Sequence, residues 1–415
     1  APHHPDRTAL RRPRVEWTPT PPAGGTVDVA FTRSAFAGAT ATFVVVGATA
    51  SLYGPLLDTF ARHFGVSLPA AGAVVSVHFA GALLGVPLGW VALRRIPGSA
   101  ALALGLATMA LGTAGAALAG TFPELLASVV GIGLGFGALD FVLNSLLVRT
   151  ADAGRAHRLS VANAGYGVGA VLGPLLVIAA RPTHFALIFA SVGLAALAIT
   201  VSVRGVEAAR LERAPAADHH PRRRAVLATF VTGYVLYVAT ESSAAGWIAP
   251  QLHRTGFAQA TGAAATAGFW LGLTVGRLTA GPLHRRVSER AIVLVGLGAT
   301  VALALSALAH DWAPVAYPLA GVSLALVYPM GLIWFTGVNP GDGDGLAILV
   351  LVMMSGGVVG PALTSAAVSM AGVRAVPVCV AAFSAADLAV FLAARRFRAP
   401  GAVDAAVAPP VINQR

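Results

Sequence analysis

The sequence contains no lysine and only one cysteine, and charged residues make up 11% of its 415 positions. About a quarter of the residues of a soluble domain are charged, so this composition excludes an ordinary soluble fold. Without lysine, the lysine-containing phosphate-binding loop of P-loop nucleotide hydrolases cannot be built. The single Cys379 excludes a disulfide framework and a cysteine metal site. We therefore expect no cofactor, no bound metal and no enzymatic activity.

Apolar residues fill the sequence instead. They account for 56% of it, and the mean hydropathy is +0.76. Apolar runs of about 20 residues, the length that a helix needs to cross a bilayer, recur along most of the chain. They lack the alternation of barrel strands. The sequence therefore predicts an all-α integral membrane protein with twelve transmembrane helices, at 34–60, 69–93, 98–118, 122–148, 159–178, 185–203, 225–252, 259–283, 291–309, 313–336, 345–370 and 376–394.

The arginines follow the predicted membrane topology, so the net charge of +11 does not indicate a nucleic-acid partner. If the N-terminus is cytoplasmic, 23 arginines lie on the cytoplasmic side of the predicted spans and four on the other side. Arginine accumulates on the cytoplasmic side of membrane proteins. We predict a multi-pass protein of the cell membrane with both termini cytoplasmic and no nucleic-acid partner. Residues 1–33 have no apolar signal-peptide core and are predicted to form a disordered cytoplasmic tail, and residues 397–415 are predicted to form a second cytoplasmic tail.

A polar stretch divides the predicted spans into two groups of six. Residues 204–224 are the linker, which separates an N-terminal half (34–203) from a C-terminal half (225–396). Glycine motifs repeat between the halves. Gly81 and Gly85 of the second span recur 191 positions later in the eighth, and Gly169 and Gly173 of the fifth recur 187 positions later in the eleventh. Each motif alone indicates only close helix packing. The shared offset of about 190 residues predicts two six-helix repeats.

This organisation, with six plus six spans, a basic central linker and both ends inside, resembles the major facilitator superfamily. Four stretches, "GIGLGFGALDFVLNSLLVR", "LSVANAGYGVGAVLGPL", "YVATESSAAGWI" and "GFWLGLTVGRLTAGPL", are similar to its fucose permease-like branch. That branch carries an acidic residue four positions before an asparagine in the fourth span. The superfamily has a loop motif after span two that contains an acidic residue. This sequence departs from it, because Leu93 stands at the acidic position and Arg285 stands at the same position of the motif's second copy.

The resemblance implies a transporter that works by alternating access, with spans 1, 4, 7 and 10 lining a central cavity. A carboxylate inside a membrane costs about 2.5 to 3.5 kcal/mol on insertion scales, so an acid there indicates function. Asp140 in span four and Glu241 in span seven lie on cavity helices by this analogy, whereas Asp387 in span twelve does not. We predict that Asp140 and Glu241 couple transport to protons. The alternative for Asp140 is a structural ion pair with Arg277 of span eight.

Several polar and aromatic side chains are candidates for contact with the substrate. Asn144 shares a helix face with Asp140 because the two are four residues apart. Rings that carry a polar group suit sugars, although such rings also fill helix interfaces. The predicted substrate-binding residues are Asn144, Asn163, Tyr166, Tyr237, Trp247, Trp270 and Tyr328. The predicted structural or gating residues are Arg277, Asp58 and His78, where Asp58 is alternatively a solvated residue and His78 a packing residue.

The sequence thus predicts a proton-coupled symporter that carries a small polar solute, with a sugar as the first candidate, and acts as a monomer in the lipid bilayer. The alternative is a proton-driven efflux antiporter for a drug or an amphipathic metabolite. A non-transporting sensor would need a large soluble domain, and neither the 33-residue tail nor the 21-residue linker is long enough to suggest one.

Overall fold

A computed structural model describes residues 30–148, 155–207, 221–340 and 343–397 of the chain. Nearly all of the two predicted tails and most of the predicted linker lie outside these ranges. The described residues are almost entirely helical. One two-residue strand, β1 (Ala30–Phe31), pairs antiparallel with a second, β2 (Val206–Glu207). This pairing places the start of the first half beside the start of the linker.

Fourteen α-helices make up the described part of the chain. In the first half they are α1 (Arg33–His63), α2 (Leu68–Arg95), α3 (Gly98–Leu118), α4 (Phe122–Val148), α5 (Arg155–Ala180) and α6 (Phe185–Ser202). In the second half they are α7 (Pro221–Arg254), α8 (Gln259–Leu278), α9 (Ala280–His284), α10 (Glu289–Ser306), α11 (Ala313–Leu324), α12 (Val327–Val338), α13 (Gly343–Ala371) and α14 (Ala375–Ala394).

Eleven helical segments in the described ranges are long and apolar enough to cross a membrane. The predicted eighth span, α8, is not among them, because Gln259, Arg277 and several threonines and glycines lower its hydropathy. Large apolar side chains point outward along these segments, including Leu111 (75% exposed) and Leu194 (68% exposed). Side chains of this kind are stable on an outer surface that lipid covers.

Side-chain caps fix several helix starts. Thr32, Ser67 and Ser288 each accept a hydrogen bond from the backbone N–H three residues later. At the start of α4 the backbone N–H groups of Gly120 and Thr121 donate to Glu124 at 2.8 and 3.1 Å. The Glu124 N–H donates back to the Thr121 hydroxyl. Thr121 and Glu124 thus form a capping box, which assigns Glu124 to the helix end.

Two predicted spans are each divided into two helices, which corrects the sequence-based boundaries. The eighth breaks at Thr279, between α8 and α9, and the tenth breaks at Ala325 and Leu326, between α11 and α12. Proline has no N–H to donate to the carbonyl four residues earlier. Pro282 leaves Leu278 without that bond, and Pro329 does the same to Ala325. Each break therefore lies at or next to the residue whose carbonyl receives no hydrogen bond from the proline four positions later.

The two halves pack their helices in the same order. In the first half α1 packs against α5, α2 against α4, and α3 against α6. In the second half α7 packs against α13, α8 against α11, and α10 against α14. The repeated glycines lie at these contacts. Gly85 meets the backbone of α4 at Leu134, and Gly272 meets the backbone of α11 at Pro318. Gly169 meets α1 at Val44, and Gly356 meets α7 at Val235.

The halves are joined mainly by three helix pairs, α1 with α7, α2 with α13, and α5 with α8; α1 also contacts α8, and α2 also contacts α7. Gly357 packs on the ring of Phe79 in the second pair, and Gly167 packs on Thr274 in the third. We call the end of the bundle where α1 and α7 begin the near end, and the end where they finish the far end. The strand pair and the described residues of the linker, 204–207 and 221–224, are at the near end.

Candidate functional site

The first half contributes a carboxylate with two amides. Asp140 and Asn144 lie on the same face of α4, and the Asn144 amide donates to the Asp140 carboxylate at 3.2 Å and to its backbone carbonyl at 2.9 Å. Asn163 of α5 lies beside them, and its amide donates to the side-chain oxygen of Asn144 at 3.4 Å. The three side chains form a short polar line in the part of α4 and α5 that is closer to the near end.

The second half contributes a hydrogen-bonded ion pair. The Tyr237 hydroxyl donates to the Glu241 carboxylate, one turn along α7, at 2.5 Å. Arg277 of α8 lies 3.5 Å from the same carboxylate oxygen and donates to the Tyr237 hydroxyl at 3.2 Å. The arginine therefore neutralises Glu241, while Tyr237 holds both groups in place. A buried ion pair is stable only when further hydrogen bonds satisfy its members in this way.

Aromatic rings bring these two groups together. Tyr166 of α5 contacts the ring of Trp270 on α8, with 6.0 Å between centroids. Tyr328 of α12 contacts the rings of Tyr234 and Tyr237. Tyr166 and Tyr328 both lie close to Asp140, Glu241 and Arg277. One site therefore spans the boundary between the halves, and we call it the central site.

The central site is accessible from the near end. Asn163 is exposed, and Arg277 and Glu241 are 34% and 16% exposed. In the described ranges, α4 and α12 each have their substantial contacts within their own half. Towards the far end the halves are in contact, because Gly54 of α1 packs on the backbone of Ala245 in α7.

A second charged cluster closes the far end. Asp58, which is 3% exposed, accepts hydrogen bonds from Arg254 Nε at 2.7 Å and from the imidazole of His253 at 3.0 Å. Asp58 is on α1 and its two partners are in the last turn of α7, so this cluster joins the halves. The alternative of a solvated Asp58 is wrong, because its carboxylate is buried and paired, whereas its gating role stays a prediction.

The structure corrects two sequence-based assignments. The predicted alternative of an Asp140–Arg277 ion pair is wrong, since Arg277 pairs with Glu241, and the Asp140 carboxylate forms a hydrogen bond only with Asn144 within the described residues. Trp247 is not part of the central site. It is fully buried and packs against Gly72 of α2.

His78 and Asp387 lie away from the central site. His78 is fully buried and shares a 3.0 Å hydrogen bond with the Tyr53 hydroxyl, in agreement with the packing alternative. Asp387 is fully buried on α14 next to Gly233, and neither carboxylate oxygen has a hydrogen-bond partner in the described part of the chain.

Three residues that make these contacts, His253, Arg254 and Tyr234, were not among the predicted site residues. His253 and Arg254 appear in the sequence as ordinary basic residues at a helix end, and Asp58, the partner that they share, is 195 positions away from His253. Tyr234 donates to the backbone carbonyl of Tyr328 at 2.6 Å, next to the break in the tenth span. Pro329 is the only sequence signal for that contact. No cluster of three metal-ligating side chains occurs among the residues that the structure describes.

Comparisons with known proteins agree with this architecture. Residues 39–240 match the family model of the Major Facilitator Superfamily. No curated protein sequence matches the chain. A bacterial homolog of the human lysosomal transporter Spinster, solved in an inward-facing and unoccupied conformation, superposes with a TM-score of 0.73 at 16% identity, over 88% of this chain and 97% of that one.

Two further solved structures are similar. A point mutant of the nucleoside transporter NupG superposes with a TM-score of 0.71 at 13% identity, over 87% of this chain and all of that one (100%). A D-xylose-proton symporter superposes with a TM-score of 0.70 at 14% identity, over 89% of this chain and 98% of that one. The chain therefore shares the fold of these three solved transporters.

Proposed function

We propose that this chain is a transporter of the Major Facilitator Superfamily that imports a small polar solute together with protons. In this proposal α8 with α9 forms the eighth of twelve spans, and the two halves are six-helix repeats. The near end is cytoplasmic and the far end faces outward, as the distribution of arginine predicts. The central site lies between the repeats, where such transporters bind their substrates. It is the observation that carries the proposal.

Asp140 is the residue that we assign to proton binding. Its only partner among the described residues is the neutral amide of Asn144, whereas Glu241 already has a cation. A lone charged carboxylate is unfavourable inside a membrane span, and a bound proton removes that charge. Alternation of the cavity between the two sides would let Asp140 take up a proton outside and release it inside. Glu241 is the second acid that we assign to proton coupling, and it takes part in the same transport cycle through its ion pair with Arg277.

The polar lining of the central site favours a hydroxylated solute. Asn144 and Asn163 each offer a donor and an acceptor. Tyr166, Trp270 and Tyr328 supply ring faces with a polar edge, which suit a sugar. The similarity in fold to a D-xylose-proton symporter supports a sugar as the first substrate to test. The Asp140–Asn144 pair likewise supports placement in the fucose permease-like branch.

Transport by purified protein in liposomes tests the proposal. With an acidic exterior, labelled xylose or fucose is expected to accumulate inside above its external concentration, and a protonophore is expected to abolish the accumulation. Protein-free liposomes are the control for leakage. Proton-stimulated extrusion of an amphipathic dye, with no uptake across a panel of sugars and nucleosides, would favour the efflux alternative and contradict the proposal.

A further inference from the structure

A cavity lies at the far end of the second half, away from the central site. Its volume is about 490 Å³. It lies between the end of α7, the end of α10, the start of α11 and the turn from α13 to α14. Its lining residues are Gln251, Arg254, Thr255, Ala307, Leu308, His310, Ala313, Ala371, Gly372, Val373 and Arg374.

The lining is positively charged and contains no acidic residue. Arg254 and Arg374 are exposed on opposite sides of it, and His310 forms part of its rim, where its ring stacks on Phe257 at 4.4 Å. Arg374 has no ion pair or hydrogen bond with any residue that the structure describes. Arg254 uses its Nε for Asp58, and its two terminal nitrogens have no protein partner in the described ranges.

A buried amide also points to a ligand in this cavity. Gln251 is 4% exposed, and its side-chain oxygen accepts a hydrogen bond from the Tyr317 hydroxyl at 3.0 Å. That bond orients the amide. Its nitrogen has no hydrogen-bond partner among the described residues, and Gln251 lines the cavity. The amide nitrogen is therefore available to donate a hydrogen bond to a ligand in the cavity.

We propose that this cavity binds an oxyanion, the carboxylate or phosphate group of a small solute or of an anionic lipid. Planar guanidinium groups match the geometry of such oxygens, and the Gln251 amide adds a donor from the cavity floor. The site is independent of the central site, which lies deeper between the halves. It shares one residue with the far-end cluster, because Arg254 also holds Asp58.

Arg374 is the position to test, since replacing Arg254 would also break the contact with Asp58. Full-length protein in phosphatidylcholine nanodiscs is titrated with inorganic phosphate or citrate at constant ionic strength, and unfolding is followed by tryptophan fluorescence. A ligand that binds only the folded state raises the melting temperature with a saturating dependence on its concentration. We expect this rise in the wild type and about tenfold weaker binding in Arg374→Gln, the size expected for the loss of one charged hydrogen bond.

Arg62→Gln is the matched control, because Arg62 is an exposed arginine at the far end of the first half and does not line the cavity. It should bind like the wild type. Nanodiscs that contain phosphatidylglycerol separate the two ligand sources. If this lipid alone stabilises the wild type but not Arg374→Gln, and removes the effect of phosphate, the oxyanion is a lipid headgroup. Equal responses of Arg374→Gln and wild type to free anions and to the lipid would overturn the proposal.

Discussion

At the scale of single residues, the two acids of the central site have different surroundings. Glu241 is held by Arg277 and Tyr237, whereas Asp140 contacts only the neutral Asn144 within the described part of the chain. A paired carboxylate keeps its charge, because the cation offsets the loss of hydration. An unpaired one is stable in a membrane span when it is protonated or when water reaches it. The two acids should therefore respond differently to substitution.

Asp140→Asn keeps the shape of the side chain and cannot bind a proton. We expect proton-driven accumulation to fall to the equilibrium level, while exchange of labelled for unlabelled substrate across the membrane persists. Uptake and counterflow in liposomes measure the two activities. Asp311→Asn, which alters an exposed acid at the far end, should leave both unchanged. Loss of exchange together with accumulation in Asp140→Asn would show that Asp140 is not specific to coupling.

Substitution of either member of the Glu241–Arg277 pair leaves its partner without a counter-charge. Because Arg277 is 34% exposed, the expected loss of stability for Glu241→Gln or Arg277→Gln is about 1–2 kcal/mol, below the roughly 3–5 kcal/mol of a fully buried pair. The double variant should be more stable than the sum of the two single effects predicts. Thermal unfolding of all four proteins gives the coupling free energy. Strict additivity of the two losses would contradict the ion pair.

At the scale of helices, glycine sets how closely neighbours approach. A methyl group on Gly356 would overlap the backbone carbonyl of Val235 in α7, and one on Gly169 would overlap that of Val44 in α1. Backbone atoms cannot move aside as the end of a flexible side chain can. The same close contact therefore occurs in both halves, between α5 and α1 in the first and between α13 and α7 in the second.

Gly356→Ala is expected to destabilise the protein by about 1–3 kcal/mol through overpacking. Gly298→Ala is the matched control, since Gly298 lies inside α10 and a methyl group there would have nothing within 4 Å. It should be neutral or stabilising by up to about 1 kcal/mol, because alanine favours a helix over glycine. Melting temperatures in one detergent compare the two variants. Equal effects would show that close approach at Gly356 is not limiting.

At the scale of the whole molecule, charged side chains join the two halves at the far end. Asp58 joins α1 to α7 through His253 and Arg254. A change to the opposite conformation must break these hydrogen bonds. The cluster therefore contributes to the free-energy difference between the two conformations.

Asp58→Asn removes the charge that holds this cluster together. A loss of about 1–2 kcal/mol would increase the population open at the far end by roughly 5- to 30-fold. Spin labels at Ala70 and Ala260, exposed near the starts of α2 and α8, report the separation by pulsed electron resonance in a Cys379→Ser background. We expect a longer-distance population in Asp58→Asn and none in Arg62→Gln. An unchanged distance distribution would exclude Asp58 as a gating residue.

The sequence by itself determined the membrane class, the division into two groups of spans, the repeated glycines and the acids inside the spans. These features depend on composition and on spacing along the chain, which are local. Only the tertiary structure decided that Arg277 belongs to Glu241 and not to Asp140, that Trp247 is buried against α2, and that Asp58 joins the halves. Hydrogen bonds and ion pairs act over about 3–4 Å. Whether two side chains come that close depends on the rotation, depth and tilt of helices that lie far apart in the sequence, and packing alone fixes those.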